Sequence, residues 1–90
     1  MDNQIWKFPL ETIDIQEIEM PSSFEVLTIQ TQSGIPCIWA MVNPDAPKVK
    51  VKFEIFGTGH PFKQNGNRKY IGTYQLHNGA LVFHCFQLLR

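Results

Sequence analysis

Tyr70-Ile-Gly-Thr-Tyr-Gln-Leu-His-Asn-Gly-Ala-Leu-Val-Phe-His-Cys-Phe-Gln-Leu-Leu89 comes close to dictating its own geometry. Asn78-Gly79 supplies the two positive-φ residues of a type I′ turn, with β-prone residues on both sides. A two-residue turn there sets His77 opposite Ala80, Gln75 opposite Val82, Thr73 opposite His84 and Ile71 opposite Phe86. These residues share one face. Leu76, Leu81, Tyr74, Phe83, Gly72 and Cys85 share the other, which is oily. The first face mixes Thr73, Gln75 and His84 with Ile71, Val82 and Phe86, a composition suited to contact with something other than bulk water.

Working outward, the rest of the chain reads as strands with little or no helix. Trp6, Phe8 and Leu10 alternate with Lys7 and Glu11, and Pro9 confines that strand to an edge. Between Ile13 and Met20 the apolar spacing slips at Ile15 to Ile18, which predicts a β-bulge near Gln16-Glu17 or a short helical turn. After Pro21-Ser22-Ser23, the stretch from Phe24 to Gln32 places Val26 on one side and Leu27 and Ile29 on the other. Ser33-Gly34 reverses the chain into Ile35 to Val42, a strand apolar on both faces and so expected at the centre of a sheet. Asn43-Pro-Asp-Ala-Pro47 is a turn. Val49, Val51, Phe53 and Ile55 then alternate with Lys48, Lys50, Lys52 and Glu54. Gly57 to Arg68 has no period, and a segment of that length tends to carry function. The expectation is a single all-β domain over residues 1–90, a small antiparallel barrel or sandwich of six to seven strands.

Ninety residues with 43% hydrophobic and 12% aromatic content suffice for one core. Eight basic residues balance eight acidic ones, which argues against sequence-independent nucleic-acid binding. Acidic residues crowd positions 1–25, whereas Lys48, Lys50, Lys52, Lys63, Arg68 and Lys69 fall later, so a local basic surface is expected. The N-terminus lacks an apolar signal core and no stretch approaches a membrane span, which points to the cytosol. Cys37 and Cys85 lie in apolar strand patterns and read as small buried hydrophobes rather than a disulfide.

Gly57-Thr-Gly-His-Pro61, at the end of a strand, is the most chemical-looking motif. Its glycines permit close backbone approach, and successive N–H groups can form an anion-binding nest. The plainer reading is a Gly-shaped strand exit with Thr58 capping backbone groups. No residue set has metal-ligand spacing, no cysteine is placed as a nucleophile, and the carboxylates lack an apolar pocket. No cofactor, metal or catalytic residue is therefore expected. Core packing is the expected fate of Trp39 and Tyr74, while Trp6, beside Lys7, is open to a contact role.

Read together, Ile5-Trp-Lys-Phe-Pro-Leu10, Ile18-Glu-Met-Pro21, Trp39-Ala-Met-Val-Asn-Pro-Asp-Ala-Pro47, Phe53-Glu-Ile-Phe-Gly-Thr-Gly-His-Pro61, Tyr70-Ile-Gly-Thr-Tyr-Gln75 and Gly79-Ala-Leu-Val-Phe-His84 resemble a family of short uncharacterised proteins of bacteria and their phages. The resemblance spans almost the whole chain. It implies a phage or prophage setting in the cytoplasm of a bacterial host, and transfers no activity or site residue. The resulting expectation is a non-enzymatic binding protein, a homo-oligomer that sequesters an anionic nucleotide-derived defence signal at a subunit interface. Gly57, Thr58, Gly59 and His60 would hold phosphate, Arg68 or Lys69 would pair with it, and Trp6 or Tyr70 would stack. The alternative is an interaction module that inhibits or adapts a host or virion protein. Its contact face, which also serves as the candidate oligomer interface, comprises Ile71, Thr73, Gln75, Val82, His84 and Phe86. The strand Ala80 to Leu89, apolar on both faces, is the expected oligomer contact.

Overall fold

A computed structural model describes residues 2–64 and 66–89, and seven strands account for most of them. They are β1 (Gln4–Pro9), β2 (Ile15–Pro21), β3 (Phe24–Gln32), β4 (Ile35–Val42), β5 (Lys48–Gly57), β6 (Arg68–Leu76) and β7 (Leu81–Leu88). They form two antiparallel sheets, ordered β1-β4-β3 and β2-β5-β7-β6. One core lies between the sheets: Val26, Ile29, Ile38, Ala40 and Val42 from the first meet Met20, Val51, Phe53, Ile55, Tyr74 and Cys85 from the second. The expected all-β class and strand number hold, in the form of a sandwich.

Both tight hairpins follow from their turn residues. Ser33 and Gly34 take φ of 52° and 81° between Gln32 and Ile35, which pair. Asn78 (φ 56°, ψ 36°) and Gly79 (φ 90°) form the type I′ turn, and the Ala80 N–H donates to the His77 carbonyl at 3.1 Å. His77 itself has φ of 54°, so the ladder stops at Leu76–Leu81 and a single 3₁₀ turn spans His77–Gly79. The expected strand pair of His77 with Ala80 is thus replaced by a turn contact.

Two register shifts overturn alternation read from the sequence. In β3 Leu27 is the extra residue between Val26 and Thr28. It is thrown outward, 45% exposed, while Val26 and Ile29 both reach the core. In β6 the extra residue is Ile71. Tyr70, not Ile71, lies opposite Phe86, and Ile71 turns to pack on the core. Thr73–His84 and Gln75–Val82 pair as expected. The expected irregularity near Gln16-Glu17 does not occur: β2 runs in unbroken register from Ile15–Glu54 to Pro21–Lys48. Its inward row is Gln16, Ile18 and Met20, and Ile15 lies outside, 51% exposed. The Gln16 amide fits that half-buried place by bonding the Glu11 N–H and carbonyl at 3.1 and 2.6 Å.

β4 is the central strand of its sheet, as its apolar faces imply. Ile38, Ala40 and Val42 fill the core, whereas Trp39 does not: it lies half-buried on the outer face, with the Lys7 ammonium 6.0 Å from its ring. β7 is also internal, between β5 and β6, which explains why it is apolar on both faces. Lys50 and Lys52 stand opposite Glu19 and Glu17 in the register, while Lys48 faces Pro21, so two of the three lysines of the expected basic row have an acidic cross-strand neighbour. Such pairs contribute at most about 1 kcal/mol each. Their larger effect is on the two edges: acidic β2 and Pro9-bearing β1 are poor templates for further strands.

β3 and β6 lie side by side where the sheets meet. A Cβ on Gly72 would stand 2.9 Å from Ile29 Cγ2 and 3.8 Å from the Ile29 carbonyl oxygen. Tyr74, next along β6, is buried and its hydroxyl bonds Thr12 Oγ1 at 2.8 Å, tying the β1–β2 connection to this seam.

Gly72→Val is expected to destabilise the protein by about 1–3 kcal/mol through overpacking at the seam, read as a lowered denaturation midpoint. A midpoint equal to wild type would mean that the seam has room to spare. A second expectation concerns Cys85, fully buried, whose thiol is pushed by desolvation from 9.0 up to about 12. It should resist thiol reagents until the protein unfolds. The unfolded thiol ionises first, so the stability due to neutral Cys85 is complete below about pH 9 and is lost as pH rises toward 12. Melting curves across that window should show a shallower alkaline decline for Cys85→Ala; an identical decline would refute the assignment.

Candidate functional site

The parity of β5 places Phe56 on the outer face of the four-stranded sheet, in the same row as Lys52 and Glu54. Phe56 pairs with His84, and Glu54 with Phe86. The bulge at Ile71 then brings Tyr70 beside Phe86, with ring centroids 5.4 Å apart and nearly edge-on. From the loop after β5, Phe62 stacks on Phe56 at 4.2 Å and 19°. These four rings form one continuous surface, on which Tyr70 is 55% and Phe62 46% exposed. With Gly57, Thr58, Gly59, His60 and His84 they line a cleft of about 280 Å³.

Arg68 holds the loop against the sheet. Its Nε meets Glu54 Oε1 at 2.5 Å, and its Nη1 donates to the Lys63 carbonyl at 2.7 Å. Its guanidinium lies 5.3 Å from the ring centres of both Phe56 and Phe62. Its charge, geometry and donors are therefore largely committed within the chain.

The Gly57–Pro61 segment is a strand exit rather than an open nest. The Thr58 N–H donates to the Val82 carbonyl at 3.2 Å and the His60 N–H to the Gly57 carbonyl at 3.1 Å. Two N–H groups that an anion would need are thereby used. Gly59 sits at φ of 85°, a conformation that L side chains rarely adopt. At Gly57 a Cβ would stand 2.9 Å from His60 Nδ1, so glycine there lets the imidazole lie across the strand end.

A chain of polar groups crosses the cleft floor. The Tyr70 hydroxyl bonds Thr73 Oγ1, which bonds His84 Nδ1 at 2.9 Å; His84 Nε2 bonds Thr58 Oγ1 at 2.7 Å, and Thr58 Oγ1 donates to the Val82 carbonyl at 3.4 Å. The His60 imidazole makes no hydrogen bond among the described residues.

The structure therefore unites residues expected to work separately. Gly57, Thr58, Gly59, His60, Arg68 and Tyr70, read as a ligand loop, converge with Thr73, His84 and Phe86, read as a contact face. Gln75 and Val82 continue that face toward the turn. Trp6 does not join them: it belongs to the other sheet, packs on the core and donates to Gln4 Oε1 at 2.8 Å. Lys69 pairs with Gln87, on the opposite face from Arg68 and Tyr70. Phe56, Phe62 and Glu54 are essential parts that motif reading passed over. An aromatic at an outward position of β5 was the available signal for Phe56, as was Phe62 in a loop of small and polar residues. Among the described residues, no group of three His, Cys, Asp or Glu side chains is placed to hold a metal ion, and no helix is long and apolar enough to cross a membrane.

The chain belongs to the family described as a domain of unknown function (DUF7352), whose model matches residues 1–90. Neither the curated proteins nor the solved structures contain a match to it.

Arg68→Ala is expected to lower stability by about 1–3 kcal/mol, because it strips a half-buried Glu54 of its charged partner. Backbone amides of residues 58–64 should exchange faster with solvent than in wild type, while those of β4 stay protected. Unchanged exchange in the loop would show that the guanidinium does not hold it.

Proposed function

We propose that this protein is a non-catalytic interaction module that receives an apolar or aromatic side chain of a partner protein in the cleft between Phe62, Tyr70 and His84. The observation that supports it is a continuous cluster of four aromatic rings, Phe62 and Tyr70 exposed and Phe56 and Phe86 half-buried, with an Arg already stacked and neutralised beside them. Tyr, Phe and Arg in this arrangement are what protein–protein contacts concentrate at their centres. The setting inferred from the motif series is a phage or prophage product in the host cytoplasm, acting on a host or virion protein.

Capture of an anionic nucleotide-derived signal draws less support from the site. A base would stack on the rings, but phosphate would find the Thr58 and His60 N–H groups bonded internally and Arg68 paired with Glu54. Self-association through the same face is compatible with the geometry, whereas extension along the edges is opposed by Pro9 and by Glu17 and Glu19.

Selection of a displayed random peptide library on the immobilised protein tests this reading. Recovered peptides should share an aromatic or large aliphatic residue. Phe62→Ala and Tyr70→Ala should each weaken them by roughly 30-fold or more, about 2 kcal/mol. In parallel, native mass spectrometry with cyclic and linear nucleotides should return the unliganded mass and report the subunit number. A nucleotide adduct that disappears in His60→Ala would overturn the proposal in favour of the nucleotide reading.

A further inference from the structure

The polar chain under the cleft has a direction that follows from counting protons. Thr58 Oγ1 has one proton and two partners, His84 Nε2 at 2.7 Å and, at a longer 3.4 Å, the Val82 carbonyl. A carbonyl can only accept, so that proton goes to Val82 and Thr58 accepts from Nε2–H. A neutral imidazole then leaves Nδ1 as an acceptor, filled by the Thr73 hydroxyl at 2.9 Å; Thr73 in turn accepts from the Tyr70 hydroxyl. All four bonds are made inside the protein. The opposite direction makes only three, because Thr58 would surrender the Val82 carbonyl and the Tyr70 proton would turn to solvent.

We propose that His84 is wired as the Nε2–H tautomer and thereby sets the polarity of Tyr70 at the recognition surface: an acceptor when His84 is neutral, a donor when His84 is protonated. With neutral His84 the phenol proton is committed to Thr73, so the exposed oxygen of Tyr70 offers only lone pairs. The complementary partner group is a backbone N–H donor on the peptide that brings its apolar side chain into the cleft. When His84 takes a proton, Nδ1–H must donate to Thr73. The Thr73 hydroxyl then donates to Tyr70, and the Tyr70 proton swings outward to meet a carbonyl. No bond within the chain is lost, so the fold is unaffected while the surface changes sign. The remaining titratable or charged groups facing this chain are few: His60 from the loop, and beyond the aromatic rings Arg68 from β6 and Glu54 from β5, which neutralise each other. β7 adds none on this face besides His84 itself.

This inference rests on the cleft being a protein-binding surface, but its wiring is measured without a partner. Nitrogen-15 spectra of the histidine rings should show neutral His84 protonated at Nε2, and Thr73→Val should erode that preference by removing the donor to Nδ1. A neutral His84 protonated at Nδ1, or equal tautomer populations in wild type and Thr73→Val, would overturn it. The surface is then read with an aromatic peptide from the library selection, in a His60→Ala background. Its affinity should fall roughly three- to tenfold as the ring spectra report protonation of His84, the value of one hydrogen bond. Tyr70→Phe should abolish that dependence, and an equal dependence in Tyr70→Phe would overturn the switch. If no peptide is captured at all, the binding surface fails while the ring spectra still decide the wiring.

Discussion

The contact of Gly72 with Ile29 fixes more of this molecule than any other. Two unpaired strand edges, β3 and β6, must approach closely for the sheets to share a core, and only a residue without a side chain fits. Each strand carries an extra residue next to this point, Leu27 in one and Ile71 in the other. The bulge in β6 has two effects at once. It sends Ile71 into the core and swings Tyr70 to the outer face, where Phe86 and Thr73 receive it. Core and site are thereby set by the same irregularity.

The site that results is internally satisfied to an unusual degree for an exposed surface. Arg68 is claimed by Glu54, by a loop carbonyl and by two rings; Thr58 and His60 have given their N–H groups to neighbouring carbonyls. What is left for another molecule is aromatic area, an imidazole at position 60 and the outer side of a phenol. Such a surface favours apolar contact with a few directional bonds over charge attraction, consistent with a chain of zero net charge.

The hairpin turns, the central position of β4 and the buried cysteines were legible in sequence because each rests on local chemistry: positive φ at Ser33-Gly34 and Asn78-Gly79, and two apolar faces or none. The bulges were not. Nothing in Val26-Leu-Thr-Ile29 or Tyr70-Ile-Gly72 states that one residue will be skipped, since the skip is imposed by a seam between distant strands. Gln16 misled for the opposite reason, as a polar residue on an inward row whose amide is satisfied by Glu11. Half of the site was visible as the Gly57-Thr-Gly-His-Pro61 motif and half as the mixed face of the last hairpin. Their union was hidden, because it needs Phe62 to fold back on Phe56 and Arg68 to hold it there.

The order in which the strands alternate between sheets has a kinetic corollary. β3–β4 and β6–β7 are joined by tight turns and close within microseconds, at small loop entropy. β1 must instead find β4 across some thirty residues, and β2 must find β5 over a comparable span, each in the opposite sheet from its chain neighbour. The two hairpins are thus expected to form early and to meet at Gly72 afterwards. The aromatic cluster lies mainly on the second hairpin and the end of β5, so much of it is expected to form before the N-terminal strands close the fold.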